Sequence, residues 1–298
     1  MNIRKEKITY LLVSLAVFLL TVPAQAPAAQ ETKTLEITKN DLGGPGEFLL
    51  SFTLGGARVT VTPSADENII VRAVVTYDSS IAEPSLSTSA QADTYSAEFS
   101  SGFTVDRDYD GYPLQEWDIT VGAFDVDTDL TIAGGGVGGD IELGGLPLRS
   151  CSLTMGGVDT DIYFSTPTTR QVEELFILGG GMNIGVYEIG NTDFQDFRMI
   201  GGGFIASLDF EGAYESAQHD VRIIGAGNRL RITVPSDAGE KLDVLAVGAL
   251  VDVTGSGWER DRYLFFFQDF VTSDYSSQPV KLDFDMTVAG SLLTVDRN

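Results

Sequence analysis

One cysteine and one histidine are all that this 298-residue chain carries of the two residue types that most often do chemistry. Cys151 alone permits no internal disulfide, so stability must come from a packed core and from strand ladders. A tetrahedral zinc site of cysteine and histidine is excluded by counting. Cys151 stands just before an apolar run and His219 in a polar stretch that reads as a turn, in different parts of the chain, so no Cys–His dyad is expected. No nucleophile-elbow motif offers a serine in its place. Basic residues are scarce as well: 19 against 43 acidic ones, a net charge of −24, which excludes nucleic acid and anionic membrane surfaces as partners. Helical periodicity is nearly absent.

Long apolar runs are also lacking, with one exception near the start. Ile8 to Val22 is shorter than the ~20 residues of a spanning helix and follows Arg4, Lys5 and Lys7, the pattern of a signal peptide. Cleavage after Ala26-Pro-Ala28 is expected, leaving a mature chain with a net charge of −26 and no membrane span; the rival reading is an uncleaved anchor. No cysteine lies near the cut to carry a lipid. The organisation expected is a signal peptide over 1–28, an N-terminal β region over 29–118 with irregular first coils, and a regular stack over 119–298. That stack carries an aromatic insertion at 255–279 and a C-terminal cap.

What the chain has in abundance is glycine, and its placement is periodic. An apolar run followed by a glycine corner recurs as Thr131-Ile-Ala-Gly-Gly-Gly136, Leu153-Thr-Met-Gly-Gly157, Phe176-Ile-Leu-Gly-Gly-Gly181, Met199-Ile-Gly-Gly-Gly203, Ile223-Ile-Gly-Ala-Gly227 and Leu245-Ala-Val-Gly-Ala249. Successive first glycines are 22, 23, 22, 24 and 23 residues apart. A period of that size marks a solenoid, in which one repeat cannot bury its own apolar face and neighbours stack. The fold class expected is all-β, a β-helix-like stack of short strands with three strands to each coil of about 22 residues. After each corner, pairs such as Ile141 and Leu143, Ile184 and Val186, or Val251 and Val253 alternate toward one face. The glycines are expected at positive φ, or where neighbouring coils come too close for a Cβ, and Gly180 and Gly202 are expected to resist replacement by valine. Leu54-Gly-Gly56 resembles the later corners.

Four motifs compete for chemistry. Asp106, Asp108 and Asp110 have the spacing of a calcium loop closed by Gly111, but Trp117 stands where a bidentate glutamate belongs, so an EF-hand is excluded and a calcium-stabilised loop of another kind remains. Gly134 to Gly139 satisfies the dinucleotide fingerprint, yet a strand and not a helix follows, so no phosphate site is expected. Asp125, Asp127 and Asp129, Asp159 with Asp161, and Asp283 with Asp285 each alternate on one strand face, ~6.5 to 7 Å apart, a separation known from inverting glycoside hydrolases. An acidic solvated face is the favoured reading of these pairs. Trp258, Tyr263, Leu264-Phe-Phe-Phe267, Phe270 and Tyr275 are read as a cap over the open end of the core, with a ligand patch as the alternative.

The run Trp117-Asp-Ile-Thr, Asp129-Leu-Thr-Ile-Ala-Gly-Gly-Gly136, Leu143-Gly-Gly-Leu-Pro-Leu148 and Ser152-Leu-Thr-Met-Gly-Gly157 resembles the bacterial toast-rack domains found in cell-envelope stress proteins of the LiaF type. Leu230-Arg-Ile-Thr-Val-Pro235 continues the likeness. The resemblance implies a β-helix-like stack, no catalytic residues and no cofactor beyond the candidate calcium. Together with the signal-like segment and the acidic, aromatic-tailed chain, it leads to the expectation of a non-enzymatic exported module, periplasmic or on the cell surface, whose partner is an envelope protein or a glycan. An adhesin that binds glycan and a carbohydrate-active enzyme using Asp127 and Asp161 are the two alternatives.

Overall fold

The computed structural model describes residues 30–44, 46–64, 66–102, 115–122, 124–264 and 266–298. The signal-like segment over 1–28 therefore lies outside the described residues. Branched and aromatic residues alternating with polar ones favour half-buried strands, and the described residues form 23 of them. The first seven are β1 (Gln30–Thr38), β2 (Glu47–Gly55), β3 (Ala57–Pro63), β4 (Ile69–Asp78), β5 (Ser85–Gln91), β6 (Thr94–Ser100) and β7 (Gln115–Val121). Five long–short pairs follow: β8 (Asp127–Gly135) with β9 (Gly138–Glu142), β10 (Leu148–Gly156) with β11 (Asp159–Tyr163), β12 (Glu174–Gly180) with β13 (Asn183–Tyr187), β14 (Asp196–Gly202) with β15 (Ile205–Asp209), and β16 (Gln218–Ala226) with β17 (Arg229–Val234). The chain ends with β18 (Gly239–Val247), β19 (Leu250–Thr254), β20 (Trp258–Leu264), β21 (Phe267–Thr272), β22 (Lys281–Ala289) and β23 (Leu292–Arg297).

Each coil contributes one strand to each of two sheets. Sheet I runs β20-β21-β18-β22-β16-β14-β12-β10-β8-β2-β6-β5, and sheet II runs β1-β4-β7-β3-β9-β11-β13-β15-β17-β23-β19. The fold is thus the expected all-β stack, with two strands to a coil where three were expected. The third side is an irregular return segment that still pairs coil to coil through the backbone: Phe164 N–H donates to Tyr187 O at 3.1 Å, Gly190 to Glu211 at 2.9 Å and Phe210 to Thr233 at 2.9 Å. In the β13 coil this side includes a turn of 3-10 helix, Ile189–Thr192, which no period-two pattern can signal.

The two end coils are interior. β2–β3 lies between β6–β7 and β8–β9, and β22–β23 lies between β16–β17 and β18–β19. The last strands in the sequence are therefore not the outer edge of the stack, because Leu282 to Val288 pairs in parallel with both β16 and β18. Each end coil is held by ladders on both sides, so pulling it out breaks twice as many backbone bonds as peeling an edge coil.

The glycine corner joins the long strand to the short one. Gly56, Gly136, Gly157, Gly181, Gly203, Gly227, Gly290 and Gly248 all sit at φ between +56° and +67°. Their stacked amides carry the ladder round the bend: Gly136 N–H donates to Gly156 O at 3.0 Å, Gly181 to Gly202 at 3.2 Å, Gly227 to Ala289 at 2.8 Å and Gly290 to Val247 at 2.8 Å. The first glycine of a triplet serves the other expected purpose, since a Cβ on Gly179 would overlap the Met155 carbonyl oxygen of the coil behind it. The middle position makes a milder demand: a Cβ on Gly180 would lie 3.1 Å from the Gly202 carbonyl oxygen, and one on Gly202 3.3 Å from that of Ala226, tight but without overlap. Gly180 has no positive φ, and Gly202 shares its register with Ala226, which pairs in turn with Ala289 and so with Val247. Gly180 and Gly202 are accordingly limited by the close approach of the next coil, while the positive φ falls on Gly181 and Gly203.

Between the sheets runs one apolar core from Leu35 to Val295. Inward positions of neighbouring coils stack on one another. Phe52 and Phe99 lie with ring centroids 5.0 Å apart, and Phe194, Phe197, Phe210 and Phe284 form an edge-to-face group across sheet I and the return side.

Candidate interaction surfaces

In-register parallel pairing turns every outward position into a row along the stack, with neighbours ~4.8 Å apart. On sheet I one row reads Ser150, Glu174, Asp196, Asp220, Asp283 and Lys241, and the next Phe176, Arg198, Arg222, Asp285 and Asp243. Like charges so close repel, and the arginines of the adjacent row offset this: Arg198 lies 3.0 Å from Glu174 and 3.6 Å from Asp196. An open depression of about 270 Å³ lies over Asp220, Asp283, Arg198, Arg222 and Lys241, lined by both signs of charge.

The aspartate pairs prove to be structural participants. Asp125 and Asp127 each lie 2.9 Å from Arg170, and Asp129 is clamped by Arg149, which also reaches Glu47 at 2.6 Å. Partial burial raises the Asp129 carboxyl, but hydrogen bonds from Arg149 and Ser150 outweigh it and leave it below its usual range. Asp159 accepts from Asn183 at 2.7 Å, and Asp283 from Gln218 at 2.8 Å and Tyr275 at 2.7 Å.

Sheet II presents an aromatic pair outward. Tyr163 and Tyr187 stack with centroids 5.1 Å apart and planes 17° from parallel. Asp161 sits beside both hydroxyls, and partial burial followed by its charge raises both phenols. Gly185, in register with Asp161, leaves the space these groups fill: a Cβ there would overlap the Asp161 carboxylate and the Tyr187 ring.

Cys151 and His219 are packing residues. Cys151 is fully buried in β10, where burial pushes the thiol up to about 12. His219 is not in a turn but in β16, wholly buried, with its ring nitrogens on the carbonyls of Phe194 and Ser216. The misreading has a simple cause: Gln218 and Asp220 flank it with polar side chains, but they point the other way on the strand. Among the described residues no group of three His, Cys, Asp or Glu side chains is placed to hold a metal ion. Asp106, Asp108 and Asp110 lie outside the described residues.

At the C-terminal end the aromatic insertion divides. Phe270 is buried and Trp258 packs against the core, as a cap should, whereas Phe266 and Phe267 are 45% and 48% exposed. The hairpin β20–β21 lies antiparallel along β18 and so extends sheet I only. Beneath it is a polar cluster unseen in the sequence motifs. Arg297 donates to the carbonyls of Ser256, Ser236 and Ala238 at 3.0 to 3.1 Å, reaches Asp274 at 2.9 Å and contacts Glu240 at 3.0 Å. The signal that could have found it is phase: Arg297 follows Leu293 and Val295 at steps of two, and Glu240 precedes Leu242 and Val244 in the same way.

The architecture is that of a two-sided, mostly parallel β-solenoid. No family model and no curated protein matches the chain. Solved structures similar to it include a "putative cell adhesion protein" of Clostridium sporogenes, 14% identical with a TM-score of 0.47, covering 91% of this chain and 100% of that one. Two "putative adhesin" proteins are also similar. That of Bacteroides fragilis is 8% identical with a TM-score of 0.38, and that of Parabacteroides merdae 7% with 0.35; each alignment covers 91% of this chain and 97% of the other. No helix among the described residues is long and apolar enough to cross a membrane.

Proposed function

We propose that this protein is a non-enzymatic, exported module of the bacterial cell envelope that works by presenting its faces to a partner protein. The observation that carries this reading is the allocation of side chains. The lone thiol and the lone imidazole are sealed in the core, while charged side chains are set out in ordered rows along the outside. A row repeating every ~4.8 Å suits an extended or flat partner better than a small molecule. The signal-like segment supports export, and the toast-rack resemblance supports a role as an envelope-stress accessory. Asp106, Asp108 and Asp110 remain the proposed calcium ligands.

One observation favours a second reading, a glycan-binding adhesin. The stacked Tyr163 and Tyr187 with Asp161 combine aromatic faces and a carboxylate, the groups that bind sugar rings. Cross-linking the tagged mature chain in its own envelope, with glycan binding measured in parallel, separates the two. Enrichment of one integral membrane protein over an untagged control supports the accessory role. Glycan binding that is lost in Tyr187→Ala supports the adhesin, and neither result defeats both.

A further inference from the structure

The two sheets end at different lengths. Sheet I continues beyond β18 through β21 and β20, whereas sheet II stops at β19, whose outer edge no described strand pairs. Sheet I therefore overhangs by two strands, ~9 to 10 Å. The β19–β23 ladder is parallel, with Leu250 N–H on Ser291 O at 2.9 Å, so by alternation Val251 and Val253 turn their N–H and C=O groups outward from the stack. Their side chains belong to the core but are only partly covered. Around this edge the surface is apolar: Leu250 is 73% exposed, and Val247, Phe266 and Phe267 are close to half exposed. The indole N–H of Trp258, at the start of the overhanging hairpin, is buried with no acceptor among the described residues. Unpaired backbone, uncovered core and an apolar rim coincide at one strand, where soluble proteins ordinarily blunt an edge with lysine, proline or a bulge.

We propose that β19 is a strand-accepting edge, taking an extended segment of a partner protein that alternates basic with apolar residues. This deepens the partner-binding reading above and rests on it. Charge selects the occupant. Asp252 is the outward residue at the centre of β19, and the chain carries −24. Antiparallel pairing of two copies along the full strand would set Asp252 against Asp252 of the second copy, between two strongly like-charged bodies, so self-association is disfavoured. A lysine or arginine opposite Asp252, with apolar side chains over Val251 and Val253, satisfies charge and core together.

The probe is a ten-residue peptide alternating valine and lysine, its control the same peptide N-methylated at every second residue, and the readout amide exchange in the mature protein. Val251 and Val253 amides are expected to gain at least tenfold protection with the first peptide and none with the second. Val253→Pro removes an outward donor and should weaken binding at least tenfold, with the melting temperature held. Asp252→Lys, which keeps the backbone, should lose the lysine peptide and gain a valine–glutamate one. Equal binding of the N-methylated peptide, or unchanged exchange at Val251 and Val253 under saturation, overturns the assignment. Capture of the envelope partner by Val253→Pro at the parent's level also overturns it and leaves the proposed function standing. Failure of the parent to capture any partner defeats that function, and the peptide result then judges the edge alone.

Discussion

Arg297, one residue from the end of the chain, lies with its Nε 3.0 Å from Oε2 of Glu240 in an ion pair whose side chains are 5% and 0% exposed. Among the described residues neither carboxylate oxygen accepts a well-aligned hydrogen bond there. Burial consequently outweighs the attraction of Arg297 and pushes Glu240 from 4.5 up to about 7. A carboxyl raised on folding stabilises fully below its unfolded value, and that contribution is lost as pH rises toward the folded value. The melting temperature should therefore fall by a few degrees between pH 4.5 and 7. In Glu240→Gln the slope in that window should flatten; an unchanged slope, followed by calorimetry across pH, would show that Glu240 is ionised throughout. Asp274, lowered to about 2 by Gln278 and Arg297, acts only at more acid pH.

Removing the cation tests the same pair from the other side. Arg297→Ala leaves Glu240 buried and uncompensated and strips the carbonyls of Ser236 and Ala238 of a donor, a loss of ~3–5 kcal/mol at pH 8. At pH 5 the loss should shrink, because Glu240 is then protonated. Chemical denaturation at the two pH values measures the difference, and an equal loss at both would place the contribution of Arg297 in packing alone.

The corner glycines separate by position within one triplet. Gly181 sits at φ +64°, so Gly181→Val forces a β-branched residue into the left-handed region at ~1–3 kcal/mol. Gly180→Ala should cost less than ~1 kcal/mol, since the middle position of other coils already holds Ala226, Ala289 and Val247. Urea unfolding of both variants decides it, and equal losses would contradict the assignment of strain to the third glycine.

How much of this was legible follows from which interactions are periodic. The 22- to 24-residue glycine spacing is written along the chain because each coil meets the same corner, so Gly136, Gly157 and Gly181 announce the stack. The order of coils is not: nothing local in Leu282 to Val288 says that it pairs with β16 as well as β18, because any in-phase strand could occupy that slot. The two-strand coil was missed because the return side, Phe164 to Val172 for instance, bonds through backbone carbonyls whatever its side chains. His219 was misplaced because its neighbours are polar, although strand alternation leaves room for one inward ring between two outward polar groups. The ion pair of Glu240 and Arg297 was visible only as two charges in apolar phase on distant strands.

Calcium provides a test of Asp106, Asp108 and Asp110 that needs no geometry. If these residues bind the ion, millimolar calcium raises the melting temperature by linkage, and the triple substitution to asparagine abolishes the rise. A parent protein indifferent to calcium removes the site.

The last prediction concerns Cys151, and it follows from burial alone. A thiol attacks reagents as its thiolate, and with its pKa pushed up to about 12 the thiolate is a negligible fraction at pH 8. The side chain also lies in the interior of sheet I, its strand paired on both sides with β8 and β12, so opening that strand requires breaking the middle of the stack and not fraying an end. Labelling by an aromatic disulfide at pH 8 should therefore be slower than that of a free thiol by orders of magnitude. Its rate should follow global unfolding, rising with urea in step with the loss of strand signal. Arg297→Ala, which loosens the C-terminal coils several strands away, should speed labelling only in proportion to its effect on overall stability. If instead labelling of the parent were fast in the absence of urea, the central coils would open independently of the rest and the stack would not be one cooperative unit.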